Sequence, residues 1–111
     1  MRIRVLSDLH HEHFGGNRPL PNVDADVVVL AGDIHSHELG IEWAAHAFGK
    51  TPVVYVPGNH EFYSAHMGKL ERKMRETARR HGIHFLVNEA VEFEGVRFLG
   101  TTLWADFALY G

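Results

Sequence analysis

Asp8, His10, Asp33, Asn59 and His60 are the residues whose types and spacing point to chemistry. Asp8 and His10 stand two apart just after the apolar run Ile3-Arg4-Val5-Leu6, where strict strand alternation is released and both side chains can turn toward one ion. Asp33 follows a second apolar run, and its two oxygens can bridge two ions; Asn59 follows a third and offers a neutral oxygen to the second ion. A set of imidazole, carboxylate and amide donors suits Mn, Fe, Zn, Co or Ni. With Cys 0, thiolate sites and disulfide frameworks are excluded. Two such ions about 3.5–4 Å apart clamp a phosphate ester and lower the pKa of a bridging water. His60, beside the pair, is placed to protonate a leaving alkoxide or to stabilise charge on phosphoryl oxygens.

These residues need a scaffold that brings strand ends together. Val27-Val28-Val29-Leu30-Ala31-Gly32-Asp33 reads as a strand buried on both faces, as in a parallel sheet, stopping at a glycine and a carboxylate. Ile3 to Leu6 and Val53 to Val56 repeat that pattern, and ligands of open α/β sheets bind at the C-terminal strand edge. Gly32 and Gly58 permit φ > 0 and a close approach of backbone to ions or substrate. Residues 11 to 26, with their Gly and Pro, predict a long surface loop. Glu38 to Phe48 carries an apolar stripe at helical spacing. A second helix is expected from Ser64, an N-cap, with Met67, Leu70, Met74 and Ala78 on one face, and with Glu71–Arg75 and Glu76–Arg80 at i, i+4. Gly82 closes it, and His84 to Val87 predicts a fourth strand. Val91, Phe93, Val96 and Phe98 alternate about Glu94-Gly95, which predicts an antiparallel hairpin. The closing aromatics Trp104, Phe107 and Tyr110 read as core or interface packing, and the chain ends as though interrupted.

A length of 111 residues predicts a single domain, residues 1–111, and 45% hydrophobic with 23% charged residues is the balance of a soluble chain. The net charge of −3 argues against nucleic acid, and no run is long enough for a membrane span or marks an export signal, so the expected location is cytoplasmic. The basic run Arg72, Lys73, Arg75, Arg79 and Arg80 is interleaved with Glu71 and Glu76 and reads as a solvated helix face. Of the ten histidines, His11, His13, His35, His37 and His66 read as solvated loop residues. Glu61 reads either as a carboxylate fixing an imidazole or as a helix-start residue. The competing account of the five candidate residues is ordinary turn and capping duty after strands.

Ser7-Asp8-Leu9-His10, Gly32-Asp33-Ile34-His35 and Gly58-Asn59-His60-Glu61, in that order and each after an apolar strand, resemble the first three motifs of the calcineurin-like metallophosphoesterases. Thr101 to Asp106 also resembles a segment of small bacterial members, so the likeness spans nearly the whole chain. It implies an α/β fold of the αββα sandwich type, represented here by its N-terminal half: a mainly parallel sheet with helices on one face, plus a hairpin toward a second sheet. It assigns Asp8 and His10 to the first metal, Asp33 to the bridge, Asn59 to the second metal, and His60 to acid or phosphate-stabilising duty. It further implies two divalent ions, Mn favoured, and hydrolysis of phosphate mono- or diesters, small-molecule substrates, by metal-bound hydroxide in which Asp33 takes part. The family's later histidine and G-H-x-H motif have no counterpart in these residues, so the domain reads as truncated at its C-terminus. Either a homodimer sharing cores or a missing C-terminal half is then expected. The alternative function is a catalytically weak or silent metal-binding or scaffold module. Serine/threonine protein phosphatases carry G-D-x-V-D-R-G, whereas Asp33 here precedes Ile34-His35-Ser36-His37-Glu38, which argues against that subclass.

Overall fold

Four short runs rich in β-branched and aromatic residues pair into one parallel sheet, β1 (Ile3–Leu6), β2 (Val27–Ala31), β3 (Val53–Val56) and β4 (His84–Phe85), in spatial order β1-β2-β3-β4. The computed structural model describes residues 1–11, 20, 21, 23–58, 61 and 67–102. Two helices, α1 (Leu39–Ala47) and α2 (Met67–His81), connect β2 to β3 and β3 to β4 and cover one face. That face carries Val28, Leu30, Val53, Tyr55 and Phe85, all buried against Ile41 and Ala44 of α1 and Leu70, Met74 and Ala78 of α2. Leu70, Met74 and Ala78 recur every fourth residue, which places them on one helical stripe. Glu38 just ahead of α1 meets Lys73 of α2 at 3.1 Å and ties the two helices at their solvent edge.

Helix α2 ends by a Schellman turn. Gly82, at φ 70°, donates its N–H to Arg79 O (3.3 Å), and Ile83 donates to Ala78 O (2.9 Å). The left-handed residue that this turn requires costs glycine nothing, and Ile83 is thereby drawn into the core. The expected pairing of Glu76 with Arg80 is not the one formed: Glu76 bonds Arg79, and Arg80 donates to Thr77 Oγ1 instead (3.4 Å). Both spacings lie on one helix surface, so the choice falls to rotamer and surroundings. The Glu71–Arg75 pair forms at 3.9 Å, while Arg75 also reaches Glu89 at 2.5 Å and lies over the Phe85 ring.

The opposite face of the sheet is partly covered by an antiparallel hairpin, β5 (Glu89–Phe93) and β6 (Val96–Gly100), turned by Glu94 and Gly95 at φ 49° and 78°. Two left-handed residues in a two-residue turn match the twist of the strands they join. Val91, Phe93 and Phe98 pack on Val27, Val54 and Leu86 beneath. Away from the hairpin, Ile3 and Val5 stay 44% and 62% exposed, and on the hairpin itself Leu99 is 76% exposed. The fourth strand covers only two of its four expected residues; Leu86 N donates to Tyr55 O (2.9 Å) as the last rung of the pairing with β3, and the chain then runs on to the hairpin. Ser64 and the closing aromatics Trp104, Phe107 and Tyr110 lie outside the described residues, as does most of the loop expected over residues 11 to 26. No helix among the described residues is long and apolar enough to cross a membrane.

Candidate metal centre

Because β1 and β2 are parallel neighbours in register, Leu6 against Leu30, their C-terminal extensions leave the sheet side by side. The two extensions remain bonded beyond the strands. Asp8 N donates to Gly32 O (3.0 Å), His10 N to Asp33 O (3.0 Å) and His11 N to Ile34 O (2.8 Å). Along this seam Asp8, His10 and Asp33 all adopt left-handed backbone, at φ 55°, 48° and 55°. Asp and His enter that region more readily than most residues, and such conformations gather at functional sites. The bends bring one ligand atom from each of the three side chains within 4.8 Å of the others. His10 Nε2 stands 3.6 Å from Asp8 Oδ1, and the Asp8 side chain is largely open to solvent while the imidazole is mostly covered.

The end of β3 closes on Asp33 from the other side. Gly58 fits there because any Cβ at this position would lie 2.7 Å from Asp33 N and 2.8 Å from its Cγ. Of the two reasons the sequence offered for Gly58, a positive φ and a close approach of backbone, only close approach applies, and it is to Asp33; the positive φ is used at Gly32, at 89°, whose own Cβ would come within 3.0 Å of Gly58. Thr102 donates its hydroxyl to Pro57 O (2.6 Å) and links the exit of β6 to the same turn. An open groove of about 380 Å³ runs from Asp33 along Ala31, Val29, Val56 and Leu99.

Behind the cluster lies Glu61, fully buried. Its Oε1 accepts from Asp33 N (2.8 Å) and Gly58 N (3.0 Å), and its Oε2 from Ile34 N (3.1 Å) and the Tyr55 hydroxyl (2.7 Å). Its own carbonyl accepts from His37 N (3.0 Å). Burial pushes the Glu61 carboxyl up to about 7, opposed by the hydrogen bonds from Tyr55, Ile34, Asp33 and Gly58, which favour the charged form. The carboxylate thus holds three backbone amides and the Tyr55 hydroxyl, a set of contacts that was not read from the sequence. One signal in the sequence pointed to it, namely a tyrosine inside the buried run Val53 to Val56, whose hydroxyl needs a partner.

The histidines divide. His11, expected in solvent, is fully buried, its ring 4.3 Å from that of Trp43, because the seam with Ile34 carries it under α1. His35 and His37 are half-buried, with His35 Nδ1 accepting from Ser36 N (2.7 Å). Asn59, His60, His13 and His66 lie outside the described residues.

Two carboxylates and an imidazole supply anionic oxygen and neutral nitrogen, a donor set that fits a borderline divalent ion and gives a soft, thiolate-seeking one no reason to bind. Comparison with known proteins agrees. Over 74 residues the chain is 30% identical to an acyl-carrier-protein phosphodiesterase, PptH, of Mycobacterium tuberculosis; the match covers 60% of this chain and 22% of that protein. The chain thus spans well under half the length of the curated relative it matches. Residues 1–105 match the model of the calcineurin-like phosphoesterases. A parallel sheet delivering Asp8, His10 and Asp33 from adjoining strand ends, and a family match across nearly every residue, lead to one conclusion: this chain belongs to the calcineurin-like phosphoesterase family.

Proposed function

We propose that this chain carries the N-terminal side of a two-metal centre that hydrolyses phosphate mono- or diesters. The observation that carries the proposal is the convergence of Asp8, His10 and Asp33 within 4.8 Å at the sheet edge. Asp8 and His10 would hold one divalent ion, Asp33 would serve both, and Asn59, which follows Gly58 in the chain, would give the second its amide oxygen. Divalent ions so held lower the pKa of a bound water and neutralise charge on the phosphoryl oxygens, and Mn²⁺ is the favoured choice. The rest falls to the protein. The backbone seam between the two strand extensions fixes the carboxylates before substrate arrives, which removes ordering from the reactive step. His60 would hand an imidazole proton to the leaving oxygen. PptH is by its name a phosphodiesterase, which favours diesters as the substrate class for this chain too. The ligands that the family draws from beyond its third motif would come from further chain or from a second copy.

The test is Mn²⁺ uptake by calorimetry together with hydrolysis of bis(p-nitrophenyl) phosphate, for the chain and for Asp33→Asn. Uptake and turnover are expected for the chain, and Asp33→Asn should weaken Mn²⁺ by about tenfold to a hundredfold and abolish turnover while circular dichroism stays native. Uptake without turnover in any phosphate ester would assign the chain to the alternative, a metal-binding module. Absence of both would remove the metal centre altogether.

A further inference from the structure

Glu61 is the one fully buried carboxylate among the described residues, and its hydrogen bonds join the metal-centre seam to β3 and the turn that follows it. Both oxygens are filled, each by two donors, so the side chain has no lone pair directed at an ion and is not itself a ligand. Its donors belong to three separate parts of the chain. Asp33 and Ile34 come from the extension of β2, Gly58 from the turn after β3, and Tyr55 from within β3.

A buried carboxylate that gathers amides from two strand ends sets the distance between them. Here the distance matters because Gly58 lies against the Asp33 carboxylate so tightly that a single Cβ does not fit. Asp33 in turn passes the constraint to His10, whose N–H bonds Asp33 O, and the neighbouring Ile34 passes it to His11. We propose that Glu61 is a positioning residue of the metal centre: by clamping Asp33 N, Ile34 N and Gly58 N it fixes where the Asp33 carboxylate stands relative to Asp8 and His10. This inference rests on the reading of that cluster as a metal centre.

A fully buried glutamate held only for fold stability would make a different prediction from a positioning one. Glutamine at this position keeps the shape but has one accepting oxygen and an NH₂ group, so at least one amide of the set meets a donor. The test compares the unmodified chain with Glu61→Gln and Tyr55→Phe by Mn²⁺ calorimetry, Mn²⁺ electron paramagnetic resonance and thermal denaturation. Tyr55→Phe removes one donor and leaves the carboxylate and its three amides, which guards against a Glu61→Gln protein that does not fold. Positioning predicts that folded Glu61→Gln binds Mn²⁺ at least about tenfold more weakly with a broadened resonance spectrum, and that Tyr55→Phe shows the same change of spectrum with about a threefold loss. If folded Glu61→Gln binds Mn²⁺ within twofold of the unmodified chain and with its spectrum, the inference is overturned and the role is structural. It is overturned equally if Glu61→Gln does not fold and Tyr55→Phe matches the unmodified chain. Failure of the underlying reading is seen separately, in an unmodified chain that takes up no Mn²⁺, and removes this inference with it.

Discussion

At the scale of single residues, the centre depends on contacts that leave no slack. Gly58 shows this most directly, since its missing side chain is the space that the Asp33 carboxylate occupies. Gly58→Ala should therefore act twice, forcing the β3 turn away from Asp33 and costing about 1–3 kcal/mol as an overpacked contact. The expected result is a melting temperature lower by several degrees together with weakened Mn²⁺ uptake; an alanine variant that melts and binds normally would show that the turn relaxes freely. Asp8, His10 and Asp33 were legible in the sequence for a plain reason: each follows an apolar strand by two to four residues, and parallel strands end on a common edge. The role of Glu61 was not legible. Three of its four partners are backbone N–H groups, which every residue possesses and no sequence position advertises, and the fourth, the Tyr55 hydroxyl, signals that a partner is needed without naming it. The burial of His11 was hidden for a related reason, because the side chain that covers it, Trp43, is brought over it only by helix packing.

Among the elements, the helices owe their placement to apolar stripes and their mutual fit to a few polar links. Glu38, ahead of α1, illustrates the second kind. Burial raises its carboxyl pKa, but a backbone hydrogen bond, the Lys73 ammonium and His37 outweigh burial and leave it below the ordinary carboxylate value. A group lowered in the folded state contributes stability above its unfolded pKa and loses it as pH falls through its folded pKa. Lys73→Met should thus destabilise the protein at neutral pH, by up to about 1 kcal/mol because the ammonium is largely in solvent. The difference between the two proteins should shrink in acid and in about 1 M salt, as chemical denaturation at several pH values and salt concentrations would show. A deficit that is indifferent to pH and salt would assign Lys73 a packing role instead. Both helices, the parallel strands and the hairpin turn were legible from periodicity and from Gly82 and Gly95. The Glu76 partner was not, since i+3 and i+4 neighbours are equally near on a helix and local rotamers decide between them.

For the molecule as a whole, the two faces of the sheet differ. The helical face is closed by Ile41, Met74 and their neighbours, whereas the other is covered over β3 and β4 by the hairpin and left open over β1. Sequence patterning could foresee an apolar second face, because alternate residues of buried strands must point to both sides, but how far the hairpin reaches depends on where β4 stops. Val5, at 62% exposure, probes what happens there. As an exposed residue, Val5→Thr should change stability by no more than about 0.5 kcal/mol and reduce self-association measured by light scattering. A cost above about 1.5 kcal/mol would mean that the face is covered in solution. One consequence of the strand-end geometry reaches beyond any single experiment. Asp8, His10 and Asp33 share left-handed backbone, a conformation that Asp, Asn and His enter more cheaply than glutamate or β-branched residues. On backbone grounds alone, an asparagine or a histidine sits at these positions with less strain than the chemically conservative glutamate, so a Glu variant here would strain the strand ends as well as lengthen the ligand.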